Sequence, residues 1–460
     1  MNNPQDLSRR KFIGSCCSAV GATGLLSTLA QLRLIGAIAA DSAPADYKAL
    51  VCLFLYGGND SNNLLVPIDT TSYNTYAAAR SVLALPQASL LPIAPKTYSD
   101  GRSWGLHPSM PELQTLFKSG QMALMANTGT LVEPVTLAQY NQGLGLPPQL
   151  FSHADQQVQW QSSIPDQPFV TGWGGRLADI VNALNNNPQI SMSISVAGQN
   201  SFQVGNSIAQ YAVSPTGAVS LTGATGSTLA TTRYAAQQDL LNLQEQNLFE
   251  AAFGGSTAAA ITDSGLLTSI LTAAPTLTTT FPNTTVGTQM QMIARLISAA
   301  PSLGLKRQVF FASLGGWDLH TNQLGAHATL FQQISQAFSA FYNATVELGV
   351  ANQVTAFTSS DFSRTFNTNG TSTATAGSDH GWGSHHLVVG GAVKGGDIYG
   401  KVASLQLGGS DDTGRGRWIP STAVDQYAAT LATWFGVSTT NLPVVLPNIG
   451  RYASPNIGFI

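Results

Sequence analysis

Four short, continuously apolar runs punctuate the chain: "ALVCLFLY" over 49–56, "MALMAN" over 122–127, "QVFFASL" over 308–314 and "QVTAFTS" over 353–359. They are rich in β-branched or aromatic residues and bounded by Gly, Asn or Ser, the pattern of parallel strands buried on both faces. Between the last two, "HATLFQQISQAFSAFYNATVEL" sets Leu330, Phe331, Ile334, Phe338 and Phe341 on one face at helical spacing. Strand, helix and strand in that order predict a crossover unit. A closing helix is expected within "IPSTAVDQYAATLATWFG", capped by Ser421 or Thr422 and stopped by Gly436, with Leu431 and Trp434 on its sheet-facing stripe. The fold class predicted is α/β, a doubly wound, mostly parallel sheet flanked by helices.

The stretch 182–285 breaks this rhythm. It is rich in Thr, Ala, Asn, Gly and Ser, begins with the alternating "QISMSISVAG" and later carries a helical "YAAQQDLLNLQEQNLFEAAF" over 234–253. It reads as a polar insertion or cap on an α/β body formed by 46–181 and 286–460, either facing a glycan or partner or simply elaborating the surface.

Both ends and charge narrow the setting. The chain opens with "LSRRKFIGSCCSAVGATGLLSTLA", a twin-arginine pair at Arg9 and Arg10 ahead of a weakly apolar run, and reaches a small-residue pattern at Ala37-Ile38-Ala39. Residues 1–39 resemble a signal for the twin-arginine (Tat) export route, which predicts a periplasmic or extracellular protein. Ser27, Thr28, Gln31 and Arg33 leave too short an apolar run to span a bilayer, so no stable membrane span is expected after cleavage. With 20 basic residues against 23 acids the formal charge is -3; loss of the signal removes four bases and one acid, leaving 16 against 22. Such a balance excludes the basic field of a nucleic-acid binder. Of the three cysteines Cys52 alone would remain, so no internal disulfide is expected.

Chemistry gathers where the strands end. "GGND" after the first run gives Asp60, "GGWDLH" after the third gives Asp318 and His320, and "SDFSR" after the fourth gives Asp361 and Arg364. In open α/β sheets, ligands bind outside the carboxyl ends of the strands, and glycines there let the backbone turn tightly. "SDHGWGSHH" adds Asp379, His380, His385 and His386 ahead of the apolar "LVVGGAV". Mixed Asp and His side chains suit a divalent metal such as Zn, Mn or Fe, and a cation is the simplest way to hold so many charges together. Singly, each residue has a plainer reading: Asp60 as a turn residue bonding its own backbone, Asp361 as a helix cap paired with Arg364, His385 and His386 as solvated or as tautomer supports. His153 and Trp160 of "SHADQQVQW" either line the pocket or pack, with His153 capping a helix.

The ordered motifs "LYGGND", "LHPSM", "SHADQQVQWQ", "GWGGRLAD", "GGWDLHTNQ", "SSDFSR" and "GSDHGWGSHHLVVGGAVKGGDIYG" resemble the exported bacterial proteins of domain-of-unknown-function family 1501 over nearly the whole mature chain. That family is similar to the alkaline phosphatase and sulfatase superfamily, which implies an alkaline-phosphatase-like sheet with one or two metals at the strand ends. The resemblance implies that Asp60, Asp318, His320, Asp361 and His380 bind a divalent metal (Zn, Mn, Fe, Mg or Ca). Phe362 stands where the phosphatases carry His after the later Asp, so an alternative match takes Asp379 and His380 as that pair. By the same resemblance the nucleophile falls in "ANTGTLVEPVT", at Thr128 or Thr130, with Asn127 as an oxyanion partner. The implied activity is hydrolysis of a phosphate or sulfate ester by a Thr hydroxyl or a water, with Arg364 on a non-bridging oxygen. The alternative is a non-catalytic periplasmic binding or assembly protein that keeps the fold and holds an extracellular partner.

Overall fold

The computed structural model describes residues 47–185, 188, 190–219, 226–243 and 247–460, so the expected signal 1–39 lies outside the described residues. Among the described residues, twelve strands form two sheets: β1 (Lys48–Leu55), β2 (Leu65–Pro67), β3 (Leu91–Ile93), β4 (Trp104–Leu106), β5 (Met122–Gly129), β6 (Ser193–Ser195), β7 (Tyr211–Ala212), β8 (Arg307–Leu314), β9 (Val354–Ser360), β10 (Ser384–Gly390), β11 (Asp397–Gly400) and β12 (Thr422–Ala423). The main sheet runs β11-β5-β10-β9-β1-β8-β6-β7, with β12 beside β5, and β2, β4 and β3 make a small antiparallel sheet. The four apolar runs are β1, β5, β8 and β9, and β1 pairs in parallel with both β8 and β9. One strand turns against the rest: β10 is antiparallel to β5 and to β9. The sheet is thus mixed and mostly parallel.

The longer helices are α1 (His153–Ser162), α2 (Trp173–Val181), α3 (Thr228–Leu241), α4 (Leu248–Ala273), α5 (Thr285–Ser298), α6 (Gln323–Glu347) and α7 (Val424–Phe435). Seven of the eight β1 residues are buried whichever way they point, which means that both sheet faces are covered. α6 carries the crossover from β8 to β9 and buries Phe331, Ile334, Phe338 and Phe341, as its spacing predicts; Leu330 is only partly buried. α5 packs on β8 and α6, and α7 on β1 and β5. Among the described residues no helix is long and apolar enough to cross a membrane.

Two local expectations change. Ser421 and Thr422 do not cap α7; Thr422 and Ala423 instead pair with β5, and the Gln426 side chain accepts from the Ala423 backbone N–H at 3.0 Å. Gly436 does stop the helix, at φ 125°. The stretch expected as an insertion from 182 begins inside the body, since β6 pairs with β8 and β7 with β6, extending the sheet edge. Its alternating "ISMSIS" leads into β6, which lies between β8 and β7 with all three residues buried.

Asp425, in the first turn of α7, is 1% exposed. Burial pushes its carboxyl up to about 7, with Ser163 and the Arg176 guanidinium pulling the other way. The folded state therefore keeps a proton that the unfolded chain releases above about pH 4, so stability falls as pH rises from there through the folded value. Urea unfolding at about pH 5 and pH 8 checks this: the native chain should lose stability between the two, and Asp425→Asn should flatten the loss.

Candidate metal centre at the strand ends

β1, β8 and β9 run side by side and in the same sense, so their carboxyl ends share one edge. Beyond β8, Gly316 at φ +94° turns the chain, Trp317 is buried with its indole N–H on the Leu314 carbonyl at 3.0 Å, and Asp318 and His320 emerge half exposed. The turn after β1 presses against this segment: a Cβ on Gly57 would lie 2.4 Å from the Asp318 backbone nitrogen, and Gly57 sits at φ +117°. Only glycine fits there. Asp361 follows β9 directly and is fully buried. His380 arrives on the loop before β10, bridged to Arg364, and His153 opens α1 behind the capping Ser152.

Four side chains converge. His320 Nε2 lies 3.0 Å from Asp318 Oδ1 and 3.0 Å from His380 Nε2. His380 Nε2 is 3.4 Å from Asp318 Oδ1, and His153 Nε2 is 3.5 Å from Asp318 Oδ2. Ligand atoms of His153, Asp318 and His380 all fall within 4.8 Å of one another, close enough to share one ion.

Behind this ring, each member has a fixed partner. His153 Nδ1 meets Asp361 Oδ2 at 2.6 Å, His320 Nδ1 meets Asp379 Oδ1 at 3.1 Å, and His380 Nδ1 meets the Phe151 carbonyl at 2.7 Å. Arg364 Nη1 donates to Asp318 Oδ1 at 2.8 Å. A carbonyl only accepts, so His380 Nδ1 carries the proton and, in the neutral ring, Nε2 presents a lone pair. Two imidazole lone pairs 3.0 Å apart repel unless a proton or cation lies between them. His153 Nε2 is buried and lacks a hydrogen-bond partner. Histidine held through one nitrogen by a carboxylate or carbonyl, with the other turned inward, is the usual arrangement of a ligand to a metal. On these observations the residues present fit a divalent ion.

The electrostatics agree with the hydrogen bonds. The bond to Asp361 raises the His153 pKa against the opposing effect of burial, while burial lowers that of His380. Burial pulls Asp318 upward, but Arg364 and the nearby histidines outweigh it and hold the carboxyl below its ordinary range.

The sequence-predicted residues divide. Asp318, His320 and His380 share the ring. Asp361 and Asp379 stand one layer back: Asp361 accepts from both the Gly57 N–H and Gln157 Nε2 besides holding His153, and Asp379 accepts from Arg415 and supports His320. Arg364 is buried beneath Asp318 with further bonds to the Gly57 and Ser378 carbonyls, so it is closed to an entering substrate. Asp60 stays out of the ring. Its carboxylate is 2% exposed and taken up by Arg80, Gln323 and Asn62, and it also caps the short helix Ser61–Leu64. Thr128 and Thr130 are likewise buried in or beside β5, with Thr130 Oγ1 accepting from Gln156 at 3.0 Å, and Asn127 ties to the Ile419 carbonyl. His385 and His386 belong to the interior of β10; His385 Nδ1 accepts from the Asn127 N–H and His386 packs against Trp160 and Tyr427. Burial lowers their pKa values to about 4 and about 3. They are not solvated, and neither supports the other's tautomer: the His386 ring nitrogens make no hydrogen bond among the described residues.

His153 is the member of the ring that strand-end reasoning missed. Its signal was local: a Ser cap followed by His places an imidazole at the first turn of a helix, but only the fold brings that turn to the strand ends.

Fold and site together define a mixed α/β protein with a three-histidine, one-aspartate cluster at the carboxyl edge of its sheet. The chain belongs to the family of proteins of unknown function DUF1501, whose model matches residues 47–413. No curated protein matches it. Among solved structures it is similar to the zinc complex of the C-terminal periplasmic domain of EcEptC from Escherichia coli, at 10% identity over 88% of each chain with a TM-score of 0.35. It is also similar to the PsFucS1 sulfatase from Pseudoalteromonas sp., at 9% identity over 90% of this chain and 73% of that one with a TM-score of 0.37.

Zinc titration with urea unfolding of each variant checks these placements. His153→Ala and His380→Ala should abolish tight loading, and Asp361→Asn should weaken it by about 10–100-fold by freeing the His153 ring. Asp60→Asn should leave loading intact but cost about 3–5 kcal/mol of stability, because Arg80 would keep an uncompensated buried charge.

Proposed function

We propose that this is an exported, periplasmic or extracellular, metal-dependent hydrolase of phosphate or sulfate esters, holding one divalent ion on His153, Asp318, His320 and His380. The observation that carries the reading is the inward convergence of three Nε2 atoms whose Nδ1 partners are already fixed. Three imidazoles and one carboxylate favour a first-row ion such as Zn, Mn or Fe over Mg or Ca, which prefer all-oxygen shells. When bound, such an ion polarises an ester oxygen and eases deprotonation of a water.

The chain's own groups do the remaining work. Asp361 and Asp379 hold the His153 and His320 rings in register, and the Phe151 carbonyl keeps the His380 proton on Nδ1. Arg364 fixes the Asp318 carboxylate and leaves its other oxygen free toward His153. Arg364 and Arg415 offset two of the three carboxylates Asp318, Asp361 and Asp379, so an added divalent ion would turn a site with one excess negative charge into one with one excess positive charge, suited to an anionic ester oxygen. Thr128 and Thr130 make no contact with the ring, so water rather than a Thr hydroxyl is the nucleophile in this reading.

The withdrawal of Arg364 and of both threonines favours the alternative of a binding or assembly protein with a structural metal. Turnover of an aryl phosphate and an aryl sulfate by the metal-loaded chain separates the two. Hydrolysis should fall at least about a hundredfold in Asp318→Asn and survive in Thr130→Ser. A chain that binds its ion and turns over neither ester belongs to the alternative.

A further inference from the structure

α3 and α4 follow one another in the chain and pack against each other as a helical hairpin. No described residue of α3 is buried, and α4, about 39 Å long at 1.5 Å per residue, buries only Ser264, Leu267 and Leu271 near its far end. The hairpin therefore projects from the body. About the end of α3 and the start of α4, Leu240 (67% exposed), Leu243 (57%), Leu248 (85%), Phe249 (87%) and Phe253 (73%) stand in water. Phe249 and Phe253 lie one turn apart on one face and, together with Leu240, Leu241 and Leu243, line a groove of about 400 Å³.

At ~180 Å² for a fully exposed Leu or Phe side chain, the five present roughly 650 Å² of apolar surface, beyond what monomeric proteins usually leave open in one patch. That area approaches the ~800 Å² per partner of a standard protein interface. We propose that the patch is a self-association surface: two copies of the chain pair their hairpins about a two-fold axis into a four-helix bundle, each bringing Phe249, Phe253 and the groove they line against the same residues of the other. One patch facing its own copy is what an isologous contact requires, and paired helical hairpins bury their apolar faces as a four-helix bundle does. Charge argues against a lipid surface as the occupant. The described residues of the two helices carry Asp239, Glu250 and Asp263 against Arg233 alone. A net-acidic pair of helices is repelled by anionic headgroups.

Sedimentation equilibrium on the full mature chain, up to about 50 µM, tests this. The expected result is twice the chain mass for the native protein and for the exposed-site control Thr232→Glu, and the single-chain mass for Phe249→Glu/Phe253→Glu with an unchanged far-UV spectrum and melting temperature. Should the double variant fail to fold, Leu248→Ser gives a second reading, expected to weaken pairing at least about tenfold. A native chain that is monomeric throughout, a folded double variant that still pairs, or a monomer that co-floats with phosphatidylcholine vesicles through this patch would each overturn the proposal.

Discussion

The structure turns on the way three imidazole rings are held from behind. An imidazole offers two nitrogens, and committing Nδ1 decides what Nε2 can do. Here Asp361, Asp379 and the Phe151 carbonyl make that commitment for His153, His320 and His380. The rings cannot turn away without breaking a bond made in a partly buried setting, so the repulsion between inward lone pairs is built in and would be relieved by a positive charge among them. Even the Phe151 backbone is recruited, at φ 71°, a left-handed conformation that is unusual for a phenylalanine and places its carbonyl on His380.

Beneath that open ring lies a second charged layer with a different role. Asp60, Arg80, Asn62 and Gln323 form a closed network in which every partner is buried, tying the turn after β1 to the start of α6 and, through Arg80, to the carbonyls of Thr365 and Phe366. Arg364 sits between the layers, joining Asp318 to the Gly57 carbonyl. Carboxylates of one kind thus divide by access: the exposed Asp318 faces the ring, while Asp60 clamps the scaffold that the ring stands on.

Much of this was legible in the sequence, and the failures have particular causes. The apolar runs named β1, β5, β8 and β9 because a strand buried on both faces needs continuous hydrophobicity, and the residues just past β8 and β9 followed from the rule that parallel strands expose their carboxyl ends together. Asp60 follows β1 in a similar glycine-bearing turn, and nothing local separates it from Asp318. What separates them is Arg80, twenty residues on, whose side chain returns to cover Asp60. His153 reached the site from a helix start, and strand-end reasoning has no access to that. The antiparallel β10 was hidden because a buried apolar run reads alike in either direction, and with the strand went the true places of His385 and His386.

Because the ring draws on α1, on the segment after β8 and on the loop before β10, it does not exist until long-range strand pairing is complete. In small metal-folded modules the ion supplies the energy that creates the fold. Here the order would be reversed: the hydrophobic sheet builds the cage first, and an ion held in the proposed way would load after the chain has folded. Which ion it took would then depend as much on what is on offer where the chain finishes folding as on the affinity of the cage itself.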